Sequence, residues 1–167
     1  MKQRMLTRSC GFCNACCVNF SVEAIGKPEY TPCQHLKCGI KKGCSIYQER
    51  PAVCESFFCE WVLGHIGTEN DRPDKIGVMY HYRSGTAFAK IILIADEVRD
   101  GAFLEPQAHT LTSAIGESEL VLLRTKTTRK VIGPPHEMGR VKPIIEGIIK
   151  NANQRSNPDN IAASTHE

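Results

Sequence analysis

The clearest patterning of apolar and polar positions begins at Ile76. "IGVMYHY" (76–82) is β-rich, "RSGT" reads as a turn, and "AFAKIILIADEV" (87–98) reads as a second strand. Consecutive apolar positions in that second run predict a strand covered on both faces. Leu104, Ala108, Leu111 and Ile115 then recur at helical spacing, with Pro106 near the start and Gly116 past the end. "ELVLLRT" (119–125) and "RKVIG" (129–133) predict another hairpin, and "VKPIIEGIIKNANQ" (141–154) predicts a helix with Ile144, Ile145, Ile148 and Ile149 inward. The tail from Arg155 is polar and is expected to be disordered. Before Ile76 there is little periodicity until residues 50–64. There Pro51 suits a first helical position and Gly64 a stop, predicting a helix over 51–63, followed by a connecting loop at 67–75. The order of elements is that of an α+β fold built on a small, mainly antiparallel sheet with two or three helices.

Composition changes this picture in one respect. Nine cysteines occur in 167 residues, and every one lies between Cys10 and Cys59. The first residues lack the apolar core of a signal peptide, and the best apolar run, "AKIILIA", falls short of the ~18 residues of a membrane span. These features predict a soluble, cytoplasmic protein. In a reducing compartment, dense cysteines point to metal or redox chemistry rather than structural disulfides, and the odd count suits a fully paired framework poorly. The net charge of +3 sits entirely within residues 1–60. Four thiolates around one zinc or one [4Fe–4S] core leave a net negative charge, which Lys37, Lys41, Lys42 and Arg50 would offset. No nucleic-acid partner is inferred from the basic surplus.

The cysteines stand at Cys10, Cys13, Cys16, Cys17, Cys33, Cys38, Cys44, Cys54 and Cys59. A C-x2-C step lets two thiolates turn back onto one centre, and here two such steps run in tandem. C-x2-C-x2-C favours an iron–sulfur cluster, three iron corners being held locally and the fourth by a remote cysteine. Zinc has its own case, since Cys10 and Cys13 with Cys33 and Cys38 match tetrahedral ligand spacing. The adjacent Cys16 and Cys17 would point to opposite sides of an extended segment. That leaves open two centres sharing one loop, one ligand beside a free thiol, a reactive vicinal pair, or a Cys17 that is merely a small buried residue.

"CGFCNACC", "PCQHL", "GCSIYQERPAVC" and "FFCEW" together resemble the bacterial YkgJ-type cysteine-cluster family, described as a zinc- or iron-chelating domain. The match covers residues 10–61, and "RPDKIGVMY" (72–80) is similar to the family's downstream segment, less specifically. The resemblance implies eight metal-binding positions: Cys10, Cys13, Cys16, Cys17, Cys33, Cys44, Cys54 and Cys59. Cys38, in a lysine-rich insert, falls outside the pattern and is expected not to ligate. The expected organisation is a metal-stapled cysteine region over 1–64, an α+β part of the same domain over 65–154, and a tail over 155–167.

Other candidates carry less. Pro51 is expected to start the helix that delivers Cys54 and Cys59, which lie about 140° apart on an ideal helix and cannot face one metal unless it ends between them. Tyr47 and Phe57 are expected to pack around the site, and His35 is a weaker candidate ligand beside Cys33. His65, His81, His109 and His136 are read as surface or internally satisfied histidines, and Asp96, Glu97 and Asp100 as a solvated strand end. No catalytic set can be assigned. The expected function is metal chelation, by an iron–sulfur cluster with a redox-linked role and a redox or protein partner, or by zinc. The alternative is a structural-zinc module that recognises a protein or small ligand. An enzyme would need an open coordination position, which sequence does not show.

Overall fold

The computed structural model describes residues 6–37, 43–82 and 92–139, with 143, 144 and 147 beyond them. The cysteine region is made of short pieces: helix α1 (Ala15–Asn19), the two-residue strands β1 (Leu36–Lys37) and β2 (Gly43–Cys44), and helix α2 (Ala52–Ser56). Then come α3 (Pro73–Ile76), β3 (Val78–His81), β4 (Leu93–Glu97), α4 (Pro106–Gly116), β5 (Val121–Arg124) and β6 (Arg129–Ile132). The fold is α+β.

Strands β3 to β6 form one sheet in sequence order. The β3–β4 and β5–β6 pairings are antiparallel, as the two predicted hairpins require, with Tyr80 opposite Ala95 and Leu122 opposite Val131. The middle pairing, β4 with β5, is parallel. It follows from α4, which returns the chain across the sheet and supplies the crossover that parallel neighbours need.

Both faces of the sheet are covered. Val78, Tyr80, Leu93, Ala95 and Val121 pack with Ala102 and Ala108 on the α4 side, where the Tyr80 hydroxyl and Thr112 Oγ1 lie 2.6 Å apart. Met79 turns to the opposite face and joins Trp61, Val62, Leu63, Ala15 and Cys59. Each large apolar side chain so buried contributes about 1.5–3 kcal/mol. The cysteine region is therefore one of three layers and packs directly on the sheet. Gly77 joins α3 to β3 at φ +72, where an added Cβ would stand 2.6 Å from that of Ala102.

Four expectations change. The connecting loop predicted over 67–75 instead holds a 3₁₀ turn (Glu69–Asp71) and the start of α3, with Pro73 at its first position. The helix predicted over 51–63 ends at Ser56, because Phe57 turns extended and packs edge-on against Phe20, while the Glu60 amide bonds Tyr80 O at the sheet edge. Leu104 is 84% exposed in a 3₁₀ turn before α4, rather than on its apolar stripe. Pro143, Ile144 and Gly147 are helical, but Ile144 is half exposed rather than inward. Ile145, Ile148, Ile149, the "RSGT" turn, Cys38 and the tail lie outside the described residues.

Candidate metal centre

Arg8 brings the first cysteines to the last. Its guanidinium donates to the carbonyls of Trp61 (3.0 Å), Ile66 (3.0 Å) and Gly67 (2.7 Å), and sits 5.3 Å from the centre of the Trp61 ring. The Arg8 amide bonds Val62 O, so residues 8–10 lie against the segment that follows Cys59. From there the chain makes a tight turn in which the Cys13 amide bonds Cys10 O at 2.9 Å. Gly11 occupies that turn at φ +53, a backbone conformation that favours glycine. Cys13 and Cys16 then pack on the same apolar cluster that holds Cys59.

Cys16 and Cys17 lie within α1 rather than in an extended segment. Their side chains therefore diverge by about 100°, not by the half-turn that an extended chain would give. The two thiols act on each other's ionisation as neighbours on one helical turn. The interaction with Cys17, together with burial and the like charge of Cys13 and Cys10, pushes Cys16 well above the ordinary thiol range. The same interaction holds Cys17 down to about 7 against the opposing effect of burial, with Lys27 assisting. Burial raises Cys13 to about 12 and also raises Cys10 and Cys59. The like charge of Cys59 adds to the rise at Cys13, and that of Cys10 to the rise at Cys59.

The other thiols gather on a second side. The Cys33 amide bonds Cys17 O at 3.0 Å, and the Leu36 amide bonds Cys33 O at 2.9 Å. The β1–β2 ladder then sets Leu36 opposite Cys44. Cys54, on α2, is raised first by burial and then by the like charge of Cys17, Cys33 and Cys44. All eight are free thiols, with Cys10 and Cys54 exposed and Cys59 buried.

A buried cation faces this second group. Lys27 is 6% exposed, and its ammonium donates to the carbonyls of Val18 (3.2 Å), Phe20 and Pro28 (3.0 Å). Burial lowers its pKa, and the charge of Cys33, Cys17, Cys16 and Cys54 opposes that. Among the described residues its hydrogen-bond partners are all neutral carbonyls. Lys27→Met should therefore cost about 2–3 kcal/mol, read as a lowered urea midpoint, because three carbonyls lose a charged donor.

Among the described residues no three His, Cys, Asp or Glu side chains stand in a metal-holding arrangement. The donor set nevertheless suits a soft, thiolate-binding metal in its chemistry. Thiols that raise one another's pKa are crowded donors whose shared charge asks for a cation.

The sheet carries a polar network that sequence reasoning missed. Asp96 is fully buried; its Oδ2 lies 2.8 Å from His81 Nε2, and its Oδ1 accepts from Arg124 Nε at 2.5 Å. Arg124 also donates to Glu29 at 3.1 Å, tying the cysteine region to the sheet. The His81 ring lies edge-on to Phe20 (5.0 Å) and Phe57 (5.6 Å), which flank α1 and α2. Asp96 is therefore not a solvated strand end. Its signal was an acid that directly continues the apolar run of a strand covered on both faces, one position before the half-buried Glu97. The Asp100 side chain is exposed, as expected. Among the histidines, His81 is buried and paired, while His65, His109 and His136 are exposed. His35 Nε2 lies 3.4 Å from Gln34 Nε2. Phe57 does pack beside the site, whereas Tyr47 is 58% exposed under the Arg50 guanidinium.

No family model, no curated protein and no solved structure matches this chain. No helix among the described residues is long and apolar enough to cross a membrane.

Proposed function

We propose that this is a metal-chelating protein whose donors are the thiolates of Cys10, Cys13, Cys16, Cys17, Cys33, Cys44, Cys54 and Cys59, as the YkgJ-type resemblance implies. The observation that supports the reading is how the backbone folds the cysteine segment back on itself. Arg8 lays the chain before Cys10 against the segment after Cys59, and Cys13 and Cys16 pack on the cluster that holds Cys59. The Cys33 amide bonds Cys17 O, and the β1–β2 ladder returns Cys44 beside Leu36. A packed core needs no such crowding, and small apolar residues would fill the same space without a desolvation cost.

Zinc and a [4Fe–4S] core ask for the same four-thiolate donors, and both fall within this reading. When bound, zinc supplies a structural staple and an iron–sulfur cluster supplies one-electron transfer. The chain's own residues do the rest. Arg8 fixes the position of Cys10, Gly11 closes the C-x2-C turn, and Lys27 offsets thiolate charge. Phe57 and Phe58 pack around Cys59 and limit water. Among the described residues the thiols do not stand in a metal-holding arrangement, so a bound metal would require them to come closer together.

The test is mutational. Cys10→Ser and Cys54→Ser should each lower the metal bound per folded chain, while Cys38→Ser leaves it intact. Unchanged metal in both of the first two variants would refute the ligand assignment.

A further inference from the structure

We propose that His81 is a positioning residue, a clamp on the sheet that holds the two cysteine-bearing helices, α1 and α2, in a fixed relation to each other. The clamp stands on packing and hydrogen bonds alone. Its consequence for a bound metal rests on the metal-chelating reading.

Both helices end at the same histidine. Phe20 caps the C-terminus of α1, with its amide bonded to Cys16 O at 3.2 Å, and Phe57 caps that of α2 directly after Ser56. The two phenylalanine rings meet edge-on at 4.6 Å. Each also lies edge-on to the His81 ring, at 5.0 Å and 5.6 Å, an arrangement that ring quadrupoles favour. Cys16 and Cys17 stand on α1 and Cys54 on α2, so the three rings set the spacing of thiols that are distant in sequence.

An apolar side chain would fill a slot between two phenylalanines without the cost of burying an imidazole. The aim of the ring explains the polar choice. His81 is 6% exposed, and its Nε2 lies 2.8 Å from Oδ2 of the fully buried Asp96. Asp96 is ion-paired with Arg124 through Oδ1, so its carboxylate accepts and Nε2 donates. That bond fixes the plane of the imidazole, and with it the contacts to both phenylalanines. Arg124 in turn donates to Glu29, and Asn19, the last residue of α1, donates from Nδ2 to Glu97 O at 3.2 Å. Helix α1 is therefore pinned to the sheet at Asn19 and at Phe20, and α2 shares the second pin through Phe57. Such a buried network costs desolvation, and its use here is to specify one arrangement of the two helices.

Hydrogen exchange on the full chain as purified tests the clamp. His81→Phe keeps a ring in the slot and removes the bond to Asp96. Exchange at the Phe20 and Glu55 amides, which bond back to Cys16 O and Pro51 O, should quicken together. The change should be about tenfold, as loss of one charge-assisted hydrogen bond allows, while amides of β4 and β5 hold their rates. His81→Gln keeps a donor for Asp96 and removes the ring; it should loosen the same two amides, and it decides should His81→Phe fail to fold. Uniform acceleration through the chain, or unmoved Phe20 and Glu55 amides, overturns the clamp. Loaded with cobalt(II), His81→Phe should bind as much metal as the wild type yet release it to a chelator about tenfold faster. Selective loosening with an unchanged release rate keeps the clamp and overturns its bearing on metal. A wild type that takes up no cobalt overturns the metal-chelating reading, and exchange alone then decides the clamp.

Discussion

Anaerobic treatment with a strong chelator should lower the thermal midpoint by more than about 10 °C, because structural thiolate sites return several kcal/mol or more of binding energy as folding energy. The loss should be local first. The cysteine region has little regular structure of its own: α1 and α2 span five residues each, and β1 and β2 two each. Isolated elements of that length are not stable without packing or ligation. Amide protection should therefore disappear between Cys10 and Cys59 while β3 to β6 keep theirs. The sheet retains its own apolar core against α4, built on Val78, Tyr80, Leu93 and Val121. Hydrogen exchange before and after chelation checks this. Uniform loss across both regions would show that the sheet does not stand independently of the cysteine layer.

Asp96→Asn should cost about 3 kcal/mol, the lower end of what breaking a buried ion pair costs, since Arg124 keeps Glu29 as a second partner. Asparagine preserves the volume but removes the charge that Arg124 and His81 share. The pH dependence gives the sign. Burial alone would raise the Asp96 carboxyl, yet its hydrogen bonds to His81 and Arg124 outweigh burial and hold it below the usual carboxylate range. A depressed folded-state pKa contributes stability that is complete above the unfolded value of about 4 and lost as pH falls through the folded value. The wild type should thus lose stability on acidification below about pH 4, and Asp96→Asn should lack that part of the decline. Urea titrations at pH 7 and pH 3 measure both effects. Equal acid sensitivity in the two proteins would remove Asp96 from the account of acid unfolding.

The sheet was legible because its strands alternate or run apolar over enough residues to fix their type. The parallel β4–β5 pairing was not. Strand order depends on where α4 crosses, and no residue in either strand records it. The cysteine positions were legible as a set, but their arrangement was not, because "CNACCVN" carries no period that distinguishes a helical turn from an extended segment. That ambiguity changed the angle between Cys16 and Cys17. It left intact the inference that the two thiols need not serve one centre. Arg8 and Lys27 were invisible for another reason. Each donates mainly to backbone carbonyls, which any residue supplies, and the side chains that Arg8 also meets, Trp61 and Glu69, lie more than fifty residues away in sequence. The end of α2 at Ser56 was equally hidden, since the aromatic packing of Phe57 that stops it involves Phe20 and His81 from distant parts of the chain.

The most direct test is to purify the full chain without oxygen, record its visible spectrum and count iron, zinc and acid-labile sulfide per chain. Metal chelation by these cysteines predicts either a brown protein absorbing near ~400 nm with matching iron and sulfide, or a colourless one with stoichiometric zinc. A folded, colourless chain with neither metal, unable to take up either on reconstitution, would contradict it.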